Sequence, residues 1–124
     1  MQKAEAEEEK VSSILVGGRG RNYIVPFERI DVIQKEPVVV PVPDSPAEVI
    51  GITIYEGRTV PYLRLDEEQT LPSEVKCGIL LKYGDNRRVG MAVEEIGEMY
   101  QVPLKELEEQ SKGLKYQIWK EILV

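Results

Sequence analysis

From Val11 onward, apolar and polar positions alternate in short runs broken by glycine, proline or acidic residues. A run and its turn together take about 8–12 residues, which predicts many short strands and an all-β barrel or sandwich. SSILV and NYIVPF flank GGRGR, whose glycines allow the positive φ angles of a hairpin turn, so a first hairpin is expected there. FERIDVIQ places Phe27, Ile30 and Ile33 at a spacing that suits a helical turn and a bulged strand equally. VVVPV reads as a strand. ITIY and RTVPYLRL pair around Glu56-Gly57, with Pro61 marking its strand as an edge or a bulge. LDEEQTLPSEV, residues 65–75, is polar, acidic and proline-marked, and reads as an internal linker between two groups of strands. CGILLKY and RRVGMAV then pair around Gly84-Asp85-Asn86, EEIGEMYQV stays extended, and PLKELEEQ (103–110) predicts a short helix with Pro103 in its first turn and Leu104 and Leu107 on one side. YQIW and EILV, around Lys120-Glu121, predict a closing hairpin.

The most punctuated stretch is VVVPVPDSPAEVIG, residues 38–51. Ser45, Pro46 and Glu48 have the spacing of a capping box, Val49 and Ile50 are expected to face inward, and Gly51 is expected to close the turn in a left-handed conformation. The prediction is one capped helical turn between two strands. Residues 1–10, MQKAEAEEEK, lack apolar periodicity and predict an acidic flexible tail ahead of a domain spanning 11–124.

Composition narrows the function. A chain of 124 residues fits one domain or two small ones, and 16 basic against 22 acidic residues give a net charge of −6, which disfavours nucleic acid and anionic membranes as partners. No histidine is present, which removes the commonest general base and metal ligand. The single cysteine, Cys77, cannot form an internal disulfide, and no apolar run reaches the roughly 18 residues of a membrane span. The acidic start carries no secretory pattern, so a cytoplasmic location is expected.

Candidate chemistry is sparse. Glu94, Glu95 and Glu98 read as a solvated rim rather than paired catalytic carboxylates or a metal site. GGRGRN lacks the Lys-Ser/Thr and the helix of a phosphate loop, and Arg19 and Arg21 are too few to outweigh the acidic balance for RNA. Cys77 opens an apolar strand with no histidine to activate it and reads as structural. The expectation is a non-enzyme without metal or cofactor.

The series VVVPVPDSPAEVIGITIYEGRTVPYLRL followed by GILLKYGDNRRVGMAVEEIGEM resembles the core of the CheW family of chemotaxis coupling proteins. The matching positions are Pro43, Pro46, Ile50, Gly51, Gly57 and Pro61, then Val89, Gly90, Val93 and Glu94, with Tyr23, Ile30 and Ile33 matching an earlier segment. The resemblance covers roughly residues 12–124. It implies two SH3-like five-stranded barrels packed side by side, one of about 22–66 and the other built from 11–21 and 76–124. It also implies a non-catalytic adaptor that docks on the regulatory domain of a CheA-type histidine kinase and receives a chemoreceptor tip in a groove. The implied groove residues are Ile30, Val32, Ile33, Gly51, Tyr55, Glu56, Cys77 and Gly78; the implied kinase-docking residues are Val40, Val42, Pro43, Ile52 and Arg58.

Three departures qualify the resemblance. Glu56 stands where the family has arginine, with Arg58 near enough to compensate, and Val32 stands where an acidic residue is common. The chain also stops at EILV, before the family's last strand end and short helix. Either the sequence is a piece of a longer chain, or a partner strand completes the second barrel and the open edge produces a homodimer. The alternative functional reading is a self-associating structural double barrel that has lost receptor docking; an enzyme using Glu94 and Glu95 is a distant third.

Overall fold

The computed structural model describes residues 9–18, 20–65 and 70–123. Strand β1 (Lys10–Gly18) turns through Gly20, whose φ is +79°, into β2 (Arg21–Pro26), as the glycine-rich turn predicts. Phe27–Arg29 forms a short 3-10 turn and β3 (Ile30–Lys35) follows, with a register shift between Ile30 and Val32. Both readings of FERIDVIQ are therefore realised in sequence. Strands β4 (Val49–Tyr55) and β5 (Arg58–Leu63) form a hairpin whose turn residues, Glu56 and Gly57, both have positive φ, at 51° and 77°. Two such residues are what a tight two-residue hairpin turn requires. Strands β6 (Cys77–Tyr83) and β7 (Arg87–Val93) form the next hairpin, and β8 (Glu95–Pro103) leads into α1 (Leu104–Lys112) and α2 (Gln117–Ile122).

Two sheets result. One has three strands in the order β2-β1-β8; the other has five in the order β3-β6-β7-β5-β4, antiparallel except for β5 against β7. The continuous apolar run of β6 follows from burial on both sides. Ile79 and Leu81 join a core shared with β1, β2 and the C-terminal helix, while Leu80 joins a second core with Val39, Ile50, Val60, Tyr62 and Val75. In that second core the Tyr62 ring is clamped between two glycines. A Cβ on Gly78 would lie 1.9 Å from the Tyr62 hydroxyl oxygen, and one on Gly90 would lie 2.7 Å from the ring. The hydroxyl donates to Gln34 Oε1 at 2.6 Å.

Several expectations are corrected. Residues 117–122 are helical rather than half of a hairpin. Trp119, Ile122 and Leu123 are all buried, a spacing that one helix face presents together, whereas a strand would turn Trp119 and Ile122 to opposite faces. The Trp119 indole N–H also donates to the Arg64 carbonyl at 2.8 Å. The unpaired EILV edge is thus absent among the described residues, and the homodimer expected from it loses its basis. VVVPV forms a single bridge, Val40 with Ile52, because prolines at 41 and 43 interrupt any longer ladder.

Gly51 is not a left-handed cap. It lies within β4, and a Cβ there would meet the Val40 carbonyl oxygen at 2.5 Å, so close backbone approach explains the glycine. The turn before it is closed by the Val49 N–H bonding the Pro46 carbonyl at 3.0 Å. Pro61 sits in an internal strand, and the β4–β5 irregularity falls between Val49 and Gly51 instead. Finally, the linker expected at 65–75, of which residues 66–69 lie outside the described residues, falls between two strands of one sheet, β5 and β6. Residues 1–8 of the acidic tail lie outside the described residues, and Lys10 of that segment already opens β1.

Candidate functional site

The expected groove residues separate into packing and surface groups. Ile30 packs against the shared core and Val32 against the second core, so both present little free surface. Gly51 and Gly78 are buried and make room for the Val40 carbonyl and the Tyr62 ring respectively. Cys77 is half-buried opposite Lys35; burial pushes its thiol above the ordinary value and Lys35 only partly opposes this, so it is a poor nucleophile. Ile33, Tyr55 and Glu56 remain on or near the surface, with Ile33 and Glu56 exposed.

Around Tyr55 the structure assembles a polar cluster from distant parts of the chain. Asp31 on β3 accepts a charge-assisted hydrogen bond from Arg88 Nε on β7, and the Arg88 guanidinium lies over the Tyr55 ring at 5.5 Å. Partial burial, then Glu56 and Asp31, raise the Tyr55 hydroxyl; the hydrogen bond to Asp31 raises Arg88. Tyr55 and Arg88 accordingly keep their protonated forms across the physiological range. Arg58 does not reach back over Glu56, since its Nη1 lies 3.4 Å from the Asn86 carbonyl; the cation beside Glu56 is Arg88. Asp31 and Arg88 escaped the sequence reading because 57 residues separate them and no local spacing links them.

The expected docking residues line the edge strand β4. The backbone of Val40 exchanges both hydrogen bonds with Ile52, each at 2.8 Å. That register sets Val38 toward Ile54 on the outward face, while Val39 and Thr53 turn inward and are buried. Val38 is 76% exposed and Ile54 64%, and Val40 is also exposed. Val42 and Pro43 continue this surface along the chain. Val38 and Ile54 were missed, although the strict alternation of Val38, Val40 and Val42 was a signal for one face.

Glu94, Glu95 and Glu98 are exposed on or beside β8, and among the described residues no acidic or thiol cluster has the proximity of a metal site. A family model described as CheW-like domain matches residues 12–121. Among solved structures, the scaffolding protein TtCheW from Thermoanaerobacter tengcongensis is similar, with a TM-score of 0.65 at 14% identity over 78% of this chain and 68% of that one. No curated protein matches. At that identity the structural likeness speaks to the fold, which is the two-sheet β architecture with short helices described above.

Proposed function

The chain belongs to the CheW-like domain family, and from that premise we propose that it is a non-catalytic scaffold of chemotaxis-type signalling that couples a CheA-type histidine kinase to chemoreceptors. The observation that carries this reading is the outward apolar face of Val38, Val40, Ile52 and Ile54 on an edge strand. Apolar side chains gathered on one face are what an interaction surface needs. This face, extended by Val42, Pro43 and Arg58, is the kinase-docking surface.

The receptor-facing surface lies around Tyr55. Ile33 gives it an apolar contact, and Tyr55, Glu56, Asp31 and Arg88 give it fixed polar ones. Glu56 holds a left-handed backbone that disfavours a side chain, and its negative charge helps raise the neighbouring Tyr55 hydroxyl, which supports a role in presenting charge at this point. Arg88 provides the cation that the resemblance leads one to expect at position 56, moved to the neighbouring strand. No helix among the described residues is long and apolar enough to cross a membrane.

The test is a calorimetric titration of the chain against the regulatory domain of a CheA-type kinase and, separately, against a receptor-tip helix. Ile54→Asp is expected to weaken kinase binding by about 2 kcal/mol, the scale of a central contact, and to leave receptor binding in place. Glu56→Arg is expected to strengthen binding to an acidic receptor tip and leave kinase affinity within about 0.5 kcal/mol. Absence of kinase binding by the parent chain contradicts the proposal.

A further inference from the structure

The cleft between β5 and β7 lies between the two docking surfaces and shares Arg58 with one and Arg88 with the other. The parallel ladder joining these strands has only two pairs, Tyr62 with Gly90 and Leu63 with Met91. It ends where Pro61 has no N–H to give. Toward the β4–β5 and β6–β7 turns the strands leave a cavity of about 420 Å3 between them, within the roughly 300–1,000 Å3 typical of small-molecule sites. Its apolar lining includes Val60, Pro61, Val89 and Ile118, the last contributed by α2. Its polar lining includes Arg58, Arg87 and Arg88, in a chain whose net charge is −6.

The three guanidiniums are held before any ligand arrives. Arg58 reaches the Asn86 carbonyl, Arg87 lies over the Tyr83 ring at 5.4 Å, and Arg88 is fixed by Asp31 and Tyr55. Asp31 balances Arg88. Arg58 and Arg87 line the cleft and have no carboxylate partner among the described residues. Preorganised guanidiniums lose little freedom on binding and match a carboxylate with paired N–H donors.

We propose that this cleft binds a small free carboxylate with an apolar body, its acid group between Arg58 and Arg87 and its body on Pro61, Tyr83 and Ile118. Inorganic phosphate would leave the apolar lining uncovered. A peptide adding itself as a strand would need the backbone donor that Pro61 lacks, and the cavity is concave rather than an extended edge.

Amide NMR spectra of the full chain titrated with octanoate test the site, with phosphate, octanol and tetraglutamate as separate arms. Octanoate is expected to saturate with shifts concentrated at Arg58, Thr59, Tyr83, Arg87 and Ile118, and to bind at least about tenfold more tightly than each other probe, since a charge-assisted contact is worth roughly that factor. Arg87→Gln should weaken octanoate about tenfold. Thr59→Trp keeps all three arginines and fills the cleft from an exposed position, so it should abolish binding. Thermal melts establish that each variant is folded; if Arg87→Gln is not, Thr59→Trp and the parent probe series decide. Equal binding of phosphate, equal binding of octanol, tighter binding of tetraglutamate, or octanoate shifts elsewhere in the chain would overturn the proposal.

Discussion

The five-stranded sheet and the three-stranded sheet solve the same packing problem in opposite ways. The larger sheet buries apolar residues on both faces and closes around Tyr62 between Gly78 and Gly90, so side chain and backbone fit without slack. The smaller sheet buries one face and relies on helices for the rest. Trp119, Ile122 and Leu123 complete its core, and α1 closes the β2 edge through Gln110, whose side-chain amide accepts from the Ile24 N–H at 2.8 Å and donates to the Ile24 carbonyl at 2.9 Å. Gln110 thus replaces one link of a missing strand. The opposite edge strand, β8, is exposed over most of its length, Met99 and Tyr100 included. The difference separates tasks: the larger sheet is built for rigidity and carries the exposed apolar face of Val38, Val40 and Ile54, while the smaller is held together from outside.

Removing the helical support should have the largest effect. Trp119→Ala deletes a fully buried side chain and its bond to the Arg64 carbonyl, and should cost about 3–5 kcal/mol in a denaturant titration. A cost under about 1 kcal/mol would mean that the three-stranded sheet does not depend on α2. Within the larger sheet, Gly78→Ala should cost about 1–3 kcal/mol by overpacking. Combining it with Tyr62→Phe should reduce that cost, because the hydroxyl is the nearest obstacle; strict additivity would show that the clamp is not the cause.

Tyr62→Phe alone forfeits the bond to Gln34 and should cost about 1 kcal/mol at neutral pH. Burial, with Cys77 second, raises the Tyr62 hydroxyl above its ordinary value of 10.0. The folded state then holds its proton more tightly than the unfolded state does. That stabilisation is complete below about pH 10 and falls away as the pH rises further, a decline that the phenylalanine variant should lack. Gln110→Ala should have a smaller global effect, about 0.5–1.5 kcal/mol, but should visibly speed amide exchange at Ile24, whose N–H it leaves unpaired.

The hairpins around Gly20, Glu56-Gly57 and Gly84-Asp85-Asn86 were legible because their turn residues adopt the positive φ angles that local chemistry announces. The C-terminal helix was not, since YQIWKEILV is a short, mostly apolar stretch whose helical identity depends on a core assembled from β1, β2, β5, β6 and β7. Gly51 misled for a related reason. A glycine after a short turn suggests a cap, and only the bridge to Val40 shows that backbone crowding decides the residue. The resemblance pointed to Val40, Val42, Ile52 and Tyr55, which the structure places on or beside the β4 edge. Asp31, Arg88 and the Arg58–Arg87 cleft required strands far apart in sequence to meet.

The separation of tasks between the sheets is tested most directly by hydrogen exchange on the chain with and without the kinase regulatory domain. The account predicts that added protection is concentrated at residues 38–42 and 52–55, along the β4 edge, with β8 exchanging as it does in the free chain. Protection centred on β8 with β4 unchanged would contradict it.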